Sequence, residues 1–114
     1  MAVGRRIPKH VHSREGESWY VLDGELTFSM DDSEFTAPRG SFVYLPIGVA
    51  HEVRNSSAGP SAFLQIFTPA GLEQYFVERA VLANKKTNQG DYAGLDPAEH
   101  AELAKNYGLR FLED

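Results

Sequence analysis

The sequence predicts an all-β domain, a sandwich or barrel of short strands, followed by C-terminal helices. Leu26, Phe28 and Met30 alternate with Glu25, Thr27 and Ser29, the period of two that a half-buried strand requires. From Lys9 to Phe67 apolar runs of this kind recur at near-even spacing with turn formers between them. After Thr68 the apolar residues fall at helical spacing instead.

The elements follow in order. A first strand carries His10 and His12, and Ser13-Arg14-Glu15-Gly16 links it to Glu17–Leu22. Asp23-Gly24 has the composition of a two-residue hairpin turn with positive φ. The strand from Glu25 to Met30 turns at Asp31-Asp32-Ser33 into a return from Glu34 to Ala37, and Pro38-Arg39-Gly40 turns again. Phe42–Leu45 reads as a buried strand, Ala50–Arg54 as another, 55–60 as loop and Ala62–Phe67 as a last apolar strand. Leu72, Tyr75, Phe76 and Val77, with Glu78 and Arg79, predict a helix ending near Ala83-Asn84. The polar, glycine-containing stretch 84–95 reads as a mobile connector. Asp96-Pro97-Ala98-Glu99 then has capping-box logic, with Asp96 as N-cap, Pro97 in the first turn and Glu99 reaching back. That helix is expected to run to about Tyr107 and stop at Gly108, with His100 a surface residue outside any site.

Composition limits the function. With 114 residues the chain can form one core if most of it takes part. Residues 1–70 are expected to make the β-barrel, and 71–114 a helical extension packed on the same domain. A net charge of −5 argues against nucleic acid, whose phosphates need a basic surface. The absence of cysteine removes disulfides, thiolate metal sites and a thiol nucleophile. No apolar run reaches spanning length, so no membrane partner is expected. The first residues lack the apolar segment of a secretion signal, which makes the cytoplasm the expected location.

Two spacings carry the chemistry. Gly4, His10, His12, Glu17 and Gly24 read G-x5-H-x-H-x4-E-x6-G; Gly40, Pro46, Gly48, His51 and Asn55 read G-x5-P-x-G-x2-H-x3-N. His10 and His12 project from one face of a strand roughly 6–7 Å apart, close enough to tilt toward one ion. Glu17, Trp19 and Val21 share a face of the next strand, while Glu15, the rival carboxylate, has the wrong parity. His51 arrives from the other half, after the Pro46-Ile47-Gly48 corner. An H-x-H pair alone is most often a solvated strand edge, and P-x-G-x2-H alone a turn. Five fixed positions arise by chance on the order of once in a million starts, so the combination points to metal chemistry. Three imidazoles and one carboxylate suit a divalent transition ion: iron, manganese, nickel, cobalt, copper or zinc.

These two stretches resemble the paired signature motifs of the cupin superfamily and match them at every signature position. The chain is also similar to small single-domain cupins, some of them quercetin-dioxygenase-like, in Trp19–Leu26, Phe42–Pro46, Phe67–Glu73 and Leu103–Gly108. The resemblance implies a double-stranded β-helix (jelly-roll) fold, one metal ion per chain on His10, His12, Glu17 and His51, and a small-molecule substrate. A dioxygenase acting on an oxygen-rich or aromatic compound chelated to the ion is the favoured activity. A non-redox isomerase, cyclase or lyase, or a binding protein without turnover, is the alternative. Glu17 is then the candidate general base as well as a ligand, and Trp19 and Val21, on its face, are candidate pocket walls. Such cupins usually carry strands ahead of the first motif, whereas here it begins at Gly4. The expected result is an exposed leading edge and a homodimer that covers it.

Overall fold

The computed structural model describes residues 1–84 and 96–112. Among the described residues, eight strands and two helices follow in the order β1 Arg6–His12, β2 Gly16–Asp23, β3 Glu25–Met30, β4 Ser33–Pro38, β5 Phe42–Leu45, β6 His51–Arg54, β7 Ala62–Thr68, α1 Glu73–Asn84, α2 Pro97–Asn106 and β8 Leu109–Phe111. Every pairing is antiparallel. One sheet has the order β4-β3-β6-β1-β8 and the other β5-β2-β7. Trp19, Val21, Val43 and Leu45 of the smaller sheet meet Leu26, Phe28, Ala37 and Val53 of the larger in one buried cluster. The two sheets therefore pack as a jelly-roll sandwich and do not close into a hydrogen-bonded barrel.

Alternation decides which side chains enter this core. Along β2, Glu17, Trp19 and Val21 are buried while Tyr20 and Leu22 are exposed. The outer face of the smaller sheet is nevertheless apolar. Tyr20 pairs with Phe42 and Leu64, and Ser18 with Tyr44 and Ile66, and these five apolar residues together with Leu22 lie exposed across three adjacent strands.

Three local expectations need correction. Asp23-Gly24 is a corner between sheets, because β2 and β3 belong to different ones. Gly24, at φ +70°, passes so close to Pro60 and Ser61 that a Cβ would lie 2.8 Å from either. The tight two-residue hairpin is Asp31-Asp32, where Met30 pairs with Ser33 and Asp31 takes φ 48°. The C-terminal stretch is not wholly helical either. After α2, β8 pairs with β1, placing Phe111 opposite His10 and Leu109 opposite His12. Both edges of β1 are thus taken, by β6 and by the chain's own β8, which closes the leading edge expected to be open.

The helices fasten this strand. Leu72, Tyr75, Ala104 and Leu109 form a second buried cluster, with Phe67, Phe76, Tyr107 and Phe111 packed against it. Asp96 caps α2, its side chain accepting from Ala98 N and Glu99 N at 2.9 and 3.1 Å. The expected connector falls almost entirely on 85–95, outside the described residues. Among the described residues no helix is long and apolar enough to cross a membrane.

Candidate metal centre

Backbone geometry brings the two halves of the site together. The β1–β6 ladder slips between Ile7 and His10 and then pairs His10 with His51. The slip falls at Pro8, which has no N–H to give a ladder. Its carbonyl lies 2.7 Å from His10 Nδ1. Gly48, at φ +80°, donates its N–H to the His12 carbonyl at 2.9 Å, tying the Pro46-Ile47-Gly48 corner to β1. Asn55, buried at the end of the second motif, donates to the Met1 and Gly59 carbonyls at 3.0 and 2.9 Å and so shapes the loop after β6.

His10, His12, Glu17 and His51 are all buried, and one ligand atom from each lies within 4.8 Å of the others. Ring centroids are 4.3 Å apart for His10 and His51, 5.0 Å for His10 and His12, and 5.9 Å for His12 and His51. A carbonyl can only accept, so Nδ1 carries the proton in His10, facing Pro8, and in His51, whose Nδ1 is 3.1 Å from the Val49 carbonyl. Both rings are thereby left with an Nε2 lone pair. His12 lies between two carboxylates, with Nε2 3.1 Å from Glu17 Oε2 and Nδ1 3.7 Å from Glu15 Oε1. Glu15, set aside on parity, is buried and stands behind His12.

Glu17 is anchored through one oxygen and open at the other. Trp19 Nε1 and Gln65 Nε2 both donate to Oε1. Oε2 faces His12 Nε2 and His51 Nε2, the latter at 3.5 Å. Burial alone raises the carboxyl pKa, but the close approach of the His12 and His51 imidazoles outweighs it and holds it well below the usual carboxylate range. Burial lowers His10 from 6.5 to about 4, with the His51 charge acting the same way. These shifts favour an ionised Glu17 carboxylate and a neutral His10, the protonation states a cation requires of those two residues. Glu17 Oε2 and His51 Nε2 are also buried without a hydrogen-bond partner. Such orphaned acceptors are costly unless another group satisfies them, and a divalent ion fits that need.

A cavity of about 30 Å³, room for about one water, adjoins His10 and His12, walled by Gln65, Phe67, Phe76 and Phe111 among others. Trp19 and Val21, expected as pocket walls, lie fully buried in the sandwich core behind Glu17 instead. Gln65 had a sequence signal: it is the polar residue at an inward position between Phe63 and Phe67. The Phe111 wall had none, because a three-residue strand is too short to show a period. His100, expected on the surface, is part-buried: its Nε2 is 2.7 Å from Tyr75 Oη and its ring centroid 4.8 Å from that of Phe111.

Residues 1–67 match the family model described as the cupin domain. The chain belongs to the cupin family. Over 73 residues it is 29% identical to quercetin 2,3-dioxygenase of Bacillus subtilis, covering 64% of this chain and 21% of that protein. An uncharacterized protein of Methanocaldococcus jannaschii is 27% identical over 62 residues, 54% of this chain and 50% of that one. The chain thus spans at most half the length of these two relatives. A structure described as a putative sugar phosphate isomerase, from Acidithiobacillus ferrooxidans, is 29% identical with a TM-score of 0.55, covering 59% of this chain and 44% of that one. The two of these with an activity in their names, the dioxygenase and the isomerase, carry different reactions.

Proposed function

We propose that this cupin is a metal-dependent dioxygenase in which His10, His12, Glu17 and His51 hold one divalent transition-metal ion. A small oxygen-rich substrate chelates beside them. The observation that carries this reading is the convergence of four ligand atoms within 4.8 Å. When bound, such an ion supplies Lewis acidity and, if redox-active, access to dioxygen chemistry. The side chains do the rest. Pro8 and Val49 fix two imidazole tautomers. Trp19 and Gln65 hold Glu17 so that Oε2 is the atom that takes the proton from a substrate hydroxyl. Phe67, Phe76 and Phe111 limit water beside the imidazoles. The quercetin dioxygenase relative supports the redox reading.

The isomerase-like neighbour favours a second reading, in which the same ion stabilises an enolate without dioxygen. Elemental analysis of freshly purified protein, paired with oxygen uptake on catechol and flavonol compounds, separates the two. Stoichiometric redox-active metal with uptake is the expected result. Zinc without uptake moves the reading to the non-redox class, and failure to retain any divalent metal after reconstitution overturns both.

A homodimer is part of the proposal, on a surface other than the expected edge. Tyr20, Leu22, Phe42, Tyr44, Leu64 and Ile66 make one exposed apolar face. A second copy packing the same face against it buries that surface in a closed twofold contact.

A further inference from the structure

α2 does not close tightly on the strands beside it. Pro97, His100, Ala101, Ala104 and Lys105 recur at helical spacing and turn one face of α2 toward β1 and β8. Two of these positions are alanines, too short to fill the space in front of them. A groove of about 770 Å³ remains, with Pro8 and Val11 of β1 and Leu109 and Phe111 of β8 on its other wall. That size falls within the roughly 300–1,000 Å³ of small-molecule sites. The His100 ring lies 4.8 Å from that of Phe111, so aromatic surface joins the two walls. None of the four centre residues lines the groove, which makes it a space apart from the metal centre.

The charged residues of the groove are of one sign. The chain carries 16 Asp and Glu against 11 Lys and Arg. Yet Lys105 and Arg110 line the groove and, among the described residues, no Asp or Glu does. The acidic residues of α2, Glu99 and Glu102, line a different groove, shared with α1. Elsewhere arginines are engaged: Arg6 with Glu52, Arg54 with Glu34, and Arg14 with the Asn106 carbonyl. The Lys105 and Arg110 side chains have no hydrogen bond or ion pair among the described residues. A concave site lined by one sign of charge concentrates ligands of the opposite sign. A guanidinium meets a carboxylate through two parallel N–H donors.

We infer that this groove is a second ligand site, for a small carboxylate with an apolar body. The body lies against Val11, Phe111 and the alanines of α2, and the carboxylate is held by Lys105 and Arg110. Occupancy requires no ion at the four-residue centre and holds whatever reaction that centre performs.

Three probes separate body from charge: phenylbutyrate carries both, phenylbutanol the body alone, and acetate the charge alone. Each is titrated into the full chain and followed by amide NMR, first metal-free and then with one equivalent of Zn²⁺. Phenylbutyrate is expected to shift Val11, Ala101, Arg110 and Phe111. It should bind about tenfold or more tighter than either other probe, the gain from joining a charge-assisted contact to apolar burial. Its affinity should be the same with and without Zn²⁺. Lys105→Gln combined with Arg110→Gln, both at exposed positions, is expected to remove most of the advantage over phenylbutanol. Ala101→Leu, also exposed, is expected to weaken both phenyl probes by filling the groove, a check that leaves the charges in place. Glu102→Gln, in the other groove, should change nothing. Equal affinity for acid and alcohol, an advantage that survives the double variant, or shifts confined to other parts of the chain overturn the inference. Phenylbutyrate binding seen only with Zn²⁺ places the carboxylate on the metal and overturns it too. Failure to bind Zn²⁺ counts against the metal reading alone, and the metal-free titration then decides.

Discussion

The chain has four histidines, and the structure puts them to two different uses. In the strand sandwich His10 and His51 each have Nδ1 against a nearby carbonyl, and His12 has its Nδ1 side toward Glu15. These three send Nε2 toward one shared centre, where Glu17 waits. In the clasp formed by α1, α2 and β8, His100 has its Nε2 against the Tyr75 hydroxyl and its ring on Phe111. Burial lowers both His10 and His100 to about 4. A lowered pKa therefore does not separate a candidate ligand from a structural histidine. What separates them is which nitrogen already has a partner.

Substitutions break this comparison most sharply at the centre. His51→Ala is expected to abolish stoichiometric metal, while Glu17→Gln retains part of it because water can replace the carboxylate; elemental analysis after reconstitution checks the ranking. Glu15→Gln should weaken metal affinity by about 10–100-fold, the usual effect of losing the carboxylate behind a ligating imidazole. Competition with a chelating dye measures this, and unchanged affinity would show that the 3.7 Å approach to His12 has no bearing on the metal.

In the clasp the effect should fall on stability instead. Tyr75→Phe removes one hydrogen bond worth about 1 kcal/mol, lowering Tm by a few degrees at full metal content. A large loss of metal in this variant would erase the distinction between the two regions.

A smaller effect concerns pH. His100 sits at about 4 when folded against an ordinary 6.5, so between those values the unfolded chain binds more protons. Stability should fall as pH drops from 6.5 toward 4. His100→Gln should shallow the slope without flattening it, since His10 titrates through the same window. Thermal melts of the metal-free protein across that range read it directly. Away from both regions, Leu64→Lys on the outer apolar face is expected to convert a dimer to a monomer by light scattering, with metal content intact.

How much of this was legible follows from how far apart the cooperating residues lie. The motif histidines and Glu17 were readable because short-range spacing sets strand parity, and parity sets the face. Gln65 was readable in principle as a polar residue at an inward position of an apolar strand. Glu15 was set aside as a ligand on parity, and it lies outside the four residues that converge; its place behind His12 was not readable that way, because Glu15 precedes β2 and answers to loop geometry. Asp23-Gly24 had the composition of a hairpin, but composition cannot report whether the flanking strands pair or part into different sheets.

By itself the sequence determined the cupin fold and the residues of its two motifs, through alternation, turn chemistry and fixed intervals, all of which act within a few residues. Only the tertiary structure decided that β8 returns to cover β1, that His100 belongs to a clasp, and that Trp19 and Val21 are core. The return of β8 to β1 depends on contacts about 100 positions apart, and the His100 contact with Tyr75 spans 25. At such separations local preference has no hold, and the pairing is chosen by which edges and apolar faces the rest of the fold leaves to be covered.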